Sequence, residues 1–134
     1  MIQKLASITI VVKDYDDAIN FFTRQLNFTL IEDTALTSEK RWVLVAPPGN
    51  SSCNILLAKA ANEKQTAAIG NQTGGRVAFF LHTDNFWQDY ETLVNNNVHF
   101  VRSPQQQEYG TVAVFEDLYG NLWDLIEPAA EEKE

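Results

Sequence analysis

The sequence predicts an α+β protein: two βαβββ modules form a curved mixed sheet around a cavity, with helices on its convex face. Three observations carry that expectation. A β-branched strand followed by an acid-capped helix occurs near residue 5 and again near residue 76. Three further strand-like runs follow each helix. The 134 residues, 45% of them hydrophobic, suit one compact domain. A lone module cannot bury both its sheet face and its helix, so the two should pair. The modules take about 4–59 and 76–128, with a connector at 60–75, in a single domain spanning 1–134.

The run LASITIVV, Leu5 to Val12, alternates Ser7, Thr9 and Val11 against Ile8, Ile10 and Val12. That is a strand with one apolar and one mixed face. Asp14 or Asp16 can cap the helix that follows, on which Ala18, Ile19, Phe22 and Leu26 recur at helical spacing. Phe28 to Ile31, Arg41 to Ala46 and Asn54 to Ala58 read as strands, and Pro47 to Ser52 as a turn. Within the connector, Asn62 to Ile69 reads as a short helix and Asn71 to Gly75 as loop.

The second module repeats this order. Arg76 to Thr83 is a strand, Asp84 or Asn85 a cap, and Phe86 to Val94 a helix. Val98 to Val101 is a short strand and Ser103 to Tyr109 a polar loop. Val112 to Pro128, VAVFEDLYGNLWDLIEP, supplies two strands around a tight turn in which Gly120 and Asn121 can take positive φ. Alternation places Ile8, Ile10 and Val12, and Val77, Phe79 and Leu81, against the helices. It places Ser7, Thr9, Val11 and Lys13, and Arg76, Ala78, Phe80 and His82, on the concave side, unless a bulge near Thr9 or Phe80 intervenes.

A formal charge of −8 argues against nucleic acid and anionic membrane surfaces as partners. Part of it lies in the terminal run Glu131-Glu132-Lys133-Glu134, a solvated end. Cys53 is single, which excludes an internal disulfide, and the start of the chain shows neither a signal-peptide pattern nor a membrane-length apolar run. A cytoplasmic location follows as the default. Cys53 has no nearby histidine in sequence to activate it as a nucleophile.

ITIVVKDYDDAINFFTRQLNF resembles the opening strand–helix signature of the vicinal oxygen chelate superfamily, the glyoxalase, bleomycin-resistance and extradiol-dioxygenase group, with Asn27 where Gly is usual. FEDLYGNLWDLIEP is similar to that superfamily's closing signature, in which Asp-Pro-x-Gly-Asn precedes a metal-binding Glu. The resemblance implies paired modules around a U-shaped cavity, with metal ligands on the first and fourth strands of each. It implies that Ser7, Leu56, Arg76 and Asp124 occupy those positions here. Leu56 has no donor, Ser7 is a poor divalent ligand, and a guanidinium cannot coordinate a metal. Asp124 alone could bind one, so no divalent-metal cofactor is expected.

An Arg76–Asp124 ion pair is the simplest expectation for the remaining charges. It either neutralises two half-buried groups or leaves guanidinium donors for an anionic or carbonyl-bearing ligand. Trp42 offers an aromatic wall or a core residue. Phe80 lines the cavity if its strand is regular, and Tyr109, with Glu108, sits at the rim. Trp123 packs under the helices and Trp87 lies on a helix surface. His82 and Asp124 are the candidates for acid–base work, His82 because it titrates near neutrality. Three functions compete: a metal-independent small-molecule-binding protein of the bleomycin-resistance type, a glyoxalase-type lyase or other enzyme with an atypical site, and a dimeric scaffold without a ligand. The first is expected, with Ser7, Trp42, Leu56, Arg76, Phe80, Tyr109 and Asp124 as ligand-binding residues, in a homodimer.

Overall fold

A computed structural model describes residues 1–49 and 53–130. Asn50 to Ser52, in the expected turn, and the acidic run 131–134 lie outside the described residues. The chain divides into two compact units, Met1–Gln72 and Thr73–Glu134. The first contains β1 (Ser7–Val12), α1 (Tyr15–Asn20), β2 (Thr29–Ala35), β3 (Arg41–Ala46), β4 (Asn54–Lys59) and α2 (Glu63–Ala68). The second contains β5 (Val77–His82), α3 (Phe86–Asn95), β6 (Phe100–Gln107), β7 (Gly110–Glu116) and β8 (Leu122–Pro128). Their sheets run β1-β4-β3-β2 and β5-β8-β7-β6, each opening with a parallel pair and continuing antiparallel. Each unit runs βαβββ, with α2 added after β4 in the first, and the fold is α+β.

Local chemistry sets the helix ends. Asp14, rather than Asp16, caps α1, its Oδ2 accepting from the Asp17 N–H at 2.8 Å. Asn62 caps α2 by accepting from the Gln65 N–H, and Asn85 caps α3 by accepting from the Gln88 N–H. After Asn20 the first helix widens into a π-helical turn, Phe21–Gln25, closed by the Leu26 N–H on the Phe21 carbonyl at 3.1 Å. The widening leaves both Phe21 and Phe22 buried. Asn27 then turns the chain at φ 60, a conformation Asn tolerates at the position where the resembled signature has Gly. Asn97 does the same at φ 67 after α3.

In the first unit, α1 packs on β3 and β4. Ile10, Val12, Phe22, Val43, Val45 and Leu57 are fully buried there, as alternation predicts for Ile10 and Val12. The free edge of β1 is covered by Gln72, whose side-chain amide accepts from the Val11 N–H at 2.6 Å and donates to the Thr9 carbonyl at 3.0 Å. In the second unit an aromatic series runs Phe79, Trp123, Phe115, Phe100, Tyr90, Phe86, from β5 across the sheet onto α3. Trp123 is 2% exposed within it.

Two segments differ from the sequence expectation. β2 extends to Ala35, well beyond Ile31, and is exposed throughout. Ser103 to Tyr109 is not a loop: Phe100–Gln107 is one edge strand, and Glu108 and Tyr109 form the two-residue turn between Gln107 and Gly110. A central strand would exclude Pro104, but an edge strand with register shifts around it tolerates the missing N–H.

Candidate functional site

The face of the second sheet turned away from α3 carries Asp124. Strand register sets Asp124 beside Phe80 on β5 and Val114 on β7, with Arg102 on β6 next in the row. Phe80 is 64% exposed, Val114 is buried and Asp124 is half-buried. Burial pushes the Asp124 carboxyl above the usual carboxylate range, and the positive charge of Arg102 partly offsets that.

The expected Arg76–Asp124 pair does not form. Among the described residues the ion pairs join Arg41 to Asp16 and to Asp33, and His99 to Glu116. Arg76 lies outside β5, exposed, and a bulge at Ala78 separates it from Phe80: Val77 is opposite Leu122, yet Phe79 is opposite Trp123. One inserted residue breaks the alternation that linked Arg76 to Phe80. Arg102 acts on Asp124 instead. His82, opposite Ile126, shares the face with Asp124 but is not hydrogen-bonded to it. Tyr109, in the β6–β7 turn, is five residues along the chain from Val114 and does not join this row.

In the first unit the corresponding row is Thr9, Leu56, Leu44 and Glu32, since Leu56 pairs with Thr9 rather than with Ser7. Ser7 lies opposite Asn54. Alongside this row opens a groove of about 920 Å³. Its origin is a separation of strands: β3 and β4 pair only at Leu44 with Leu56 and Val45 with Ile55, although β3 is paired with β2 from Arg41 and β4 with β1 to Lys59. Trp42, Leu56, Thr9 and Ala58 line the groove, with Asp14, Tyr15, Glu39, Lys40 and Lys59 towards its polar end. Trp42 is 39% exposed, which agrees with a wall rather than a core residue.

Arg41 braces that polar end. Its guanidinium grips Asp33 through Nε at 3.1 Å and Nη2 at 2.7 Å, and reaches Asp16 through Nη1 at 3.0 Å. It lies 5.1 Å from the centroid of the Tyr15 ring. These bonds from Arg41 hold the Asp33 carboxyl below its usual range and raise the guanidinium further, so both remain charged. Thr9, Tyr15, Arg41 and Arg102 were not singled out from sequence as site residues. For Thr9 the alternating strand was a usable signal. The others depend on strand separation and edge pairing.

The donor set does not suit a family-type metal. The first- and fourth-strand rows hold Thr9 with Leu56, and Phe80 with Asp124. Among the described residues no group of three or more His, Cys, Asp and Glu gathers as a metal site, and one carboxylate falls short of a coordination shell. No helix among the described residues is long and apolar enough to cross a membrane.

Over 128 residues the chain is 55% identical to an uncharacterized protein of Shewanella frigidimarina, covering 95% of each. The crystal structure of UcmS2 is similar at 32% identity with a TM-score of 0.84, covering 95% of this chain and 99% of that one. That of TnmS3, an antibiotic binding protein from Streptomyces sp. CB03234, shares the fold at 24% identity with a TM-score of 0.77, covering 96% and 98%. Residues 4–125 match the model of the Glyoxalase/Bleomycin resistance protein/Dioxygenase superfamily. Sequence signatures, the doubled βαβββ order and this match agree, and the chain belongs to that superfamily.

Proposed function

We propose that this chain is a metal-independent small-molecule-binding protein that holds its ligand against Trp42 and Leu56 in the groove of the first unit. The observation that carries the reading is the groove itself. At about 920 Å³ it falls in the size range of small-molecule sites, and the wall of Trp42 and Leu56 meets a strongly polar lining that includes Asp14, Glu39, Lys40 and Lys59. The poor donor set supports independence from metal, because glyoxalase and extradiol chemistry rely on a metal polarising vicinal oxygens. TnmS3, an antibiotic binding protein, shows that this fold can serve ligand capture. The proposal includes a cytoplasmic homodimer. The exposed apolar residues Leu30 and Ile31 on the edge strand β2 are consistent with a partner, and a monomeric mass by light scattering would reject that part.

The test is a thermal-shift screen of aromatic acids, thiol adducts and glycopeptide-type antibiotics. A binder at 100 times its Kd should stabilise the fold by about 2.7 kcal/mol, a shift of several degrees. Trp42→Ala should keep its fold, since Trp42 is part-exposed, and lose most of the shift. A shift unchanged in Trp42→Ala would place binding elsewhere. No shift with any compound would favour a scaffold.

A further inference from the structure

The groove has a polar end whose geometry specifies what a ligand must offer. The Lys40 carbonyl accepts from the Leu36 N–H at 2.8 Å and the Thr37 N–H at 3.1 Å, on the β2 side of β3. A carbonyl and the following N–H of a strand point to opposite sides, so the Arg41 N–H is directed towards β4. No β4 partner meets it, because β3–β4 pairing ends at Leu44 and Leu56. The Tyr15 hydroxyl takes that place, accepting from the Arg41 N–H at 3.2 Å.

Tyr15 is 7% exposed and lines the groove. A phenol oxygen that accepts still has a proton to donate. Among the described residues no acceptor receives the Tyr15 proton: its one hydrogen bond is that from Arg41. The proton is left to whatever fills the groove, so an entering group that accepts from it replaces water there. Lys40 and Lys59 line the groove and neither forms an ion pair among the described residues, while of the two carboxylates in the same lining, Asp14 and Glu39, Asp14 is engaged in capping α1. Arg41, by contrast, is already neutralised by Asp16 and Asp33.

Resting on the assignment of the groove as the binding site, we infer that its ligand is an aromatic carboxylate. One carboxylate oxygen accepts from the Tyr15 hydroxyl, Lys40 and Lys59 balance the charge, and the ring lies against Trp42. Tyr15 is a ligand-recognition residue, and Arg41 positions it.

Calorimetric titration of the full chain with three shape-matched probes tests this: indole-3-carboxylate, 3-acetylindole and 3-isopropylindole. The wild type should bind them in that order of decreasing affinity. Tyr15→Phe should weaken the carboxylate about tenfold, as expected for a hydrogen bond to a charged group, and the isopropyl probe less than about twofold. Lys40→Met combined with Lys59→Met should weaken only the carboxylate. Equal weakening of all three probes in Tyr15→Phe, or none, would overturn the role of the hydroxyl. Should Tyr15→Phe melt early, the wild-type order and the double lysine variant still decide: equal affinities across the probes overturn the carboxylate assignment while the groove stands. Failure of all three to bind at millimolar concentration overturns the groove as a site.

Discussion

Asp124 shows how much one residue can convey and where that stops. In an apolar terminal strand a carboxylate must be solvated, paired or metal-bound, and Asp124 lies half-buried beside Phe80 and Val114. The expected pair with Arg76 does not form: a bulge at Ala78 moves Arg76 away, and the edge strand β6 brings the positive charge of Arg102 into the row instead. Neither event leaves a trace in hydrophobic alternation: Ala is neutral on either face, and Ser103 to Tyr109 has loop composition. Trp42 and Leu56 lie on strands that the sequence indicates, although Leu56 pairs with Thr9 rather than with Ser7. The raised carboxyl of Asp124 has a pH consequence. The unfolded carboxyl ionises near pH 3.9, the folded one at higher pH, so folding favours the protonated form. That contribution is full below the unfolded value and is lost as pH rises through the folded one. Asp124→Asn should therefore raise the melting temperature at pH 7 by roughly 1–3 °C, a small gain because the group is largely solvated and faces Arg102. The gain should vanish near pH 3. A lower melting temperature at pH 7 would mean that the carboxylate makes a stabilising contact after all.

At the scale of elements, the order β-α-β-β-β was legible twice because periodicity switches cleanly between alternation and helical spacing. The element ends depend on side chains that compete with backbone partners, which periodicity does not show. The β7–β8 turn illustrates it. Gly120 takes φ 102 as expected, but Asn121 does not need positive φ. Instead the buried Asp117 carboxylate accepts from the backbone N–H groups of Tyr119 and Asn121, from the Asn121 amide and from Trp123 Nε1, which fixes where β8 begins. Burial still pushes the Asp117 carboxyl up, against those four donors. At the opposite end of the same pair, Gly110 opens β7 at φ 147, and a Cβ there would run into the Glu127 backbone carbonyl of β8. Gly110→Ala must strain the backbone or push β7 and β8 apart, which should cost about 2–4 kcal/mol. Urea denaturation would measure it. A loss below about 0.5 kcal/mol would show that the hairpin adjusts without cost.

For the whole molecule, the proposal is family membership without the family's metal. The fold is strongly specified: the duplicated modules, the opening signature and the Asp117–Asn121 turn all survive, and the superfamily match spans residues 4–125. What differs is the donor count. A metal that stabilises a protein does so by binding the native state in preference to the unfolded one, through three or four donors already held in place. Here Thr9 and Leu56 form one row, and Phe80 and Asp124 the other, giving one carboxylate and one weak hydroxyl. His99 is bound to Glu116 at 2.9 Å, and His82, though it shares the face with Asp124, brings the set to no more than two good donors. With so few donors there is little to distinguish native from unfolded chain towards a divalent ion. Protein purified without added metal should therefore contain far less than one equivalent of Zn, Ni, Fe or Mn by elemental analysis. Its melting temperature should stay within about 1 °C on adding EDTA or equimolar Zn²⁺, against several degrees for a site that binds micromolar metal tightly. Near-stoichiometric metal, or a clear fall in melting temperature with EDTA, would return the chain to the metal-dependent branch of its superfamily and displace the groove as the centre of its chemistry.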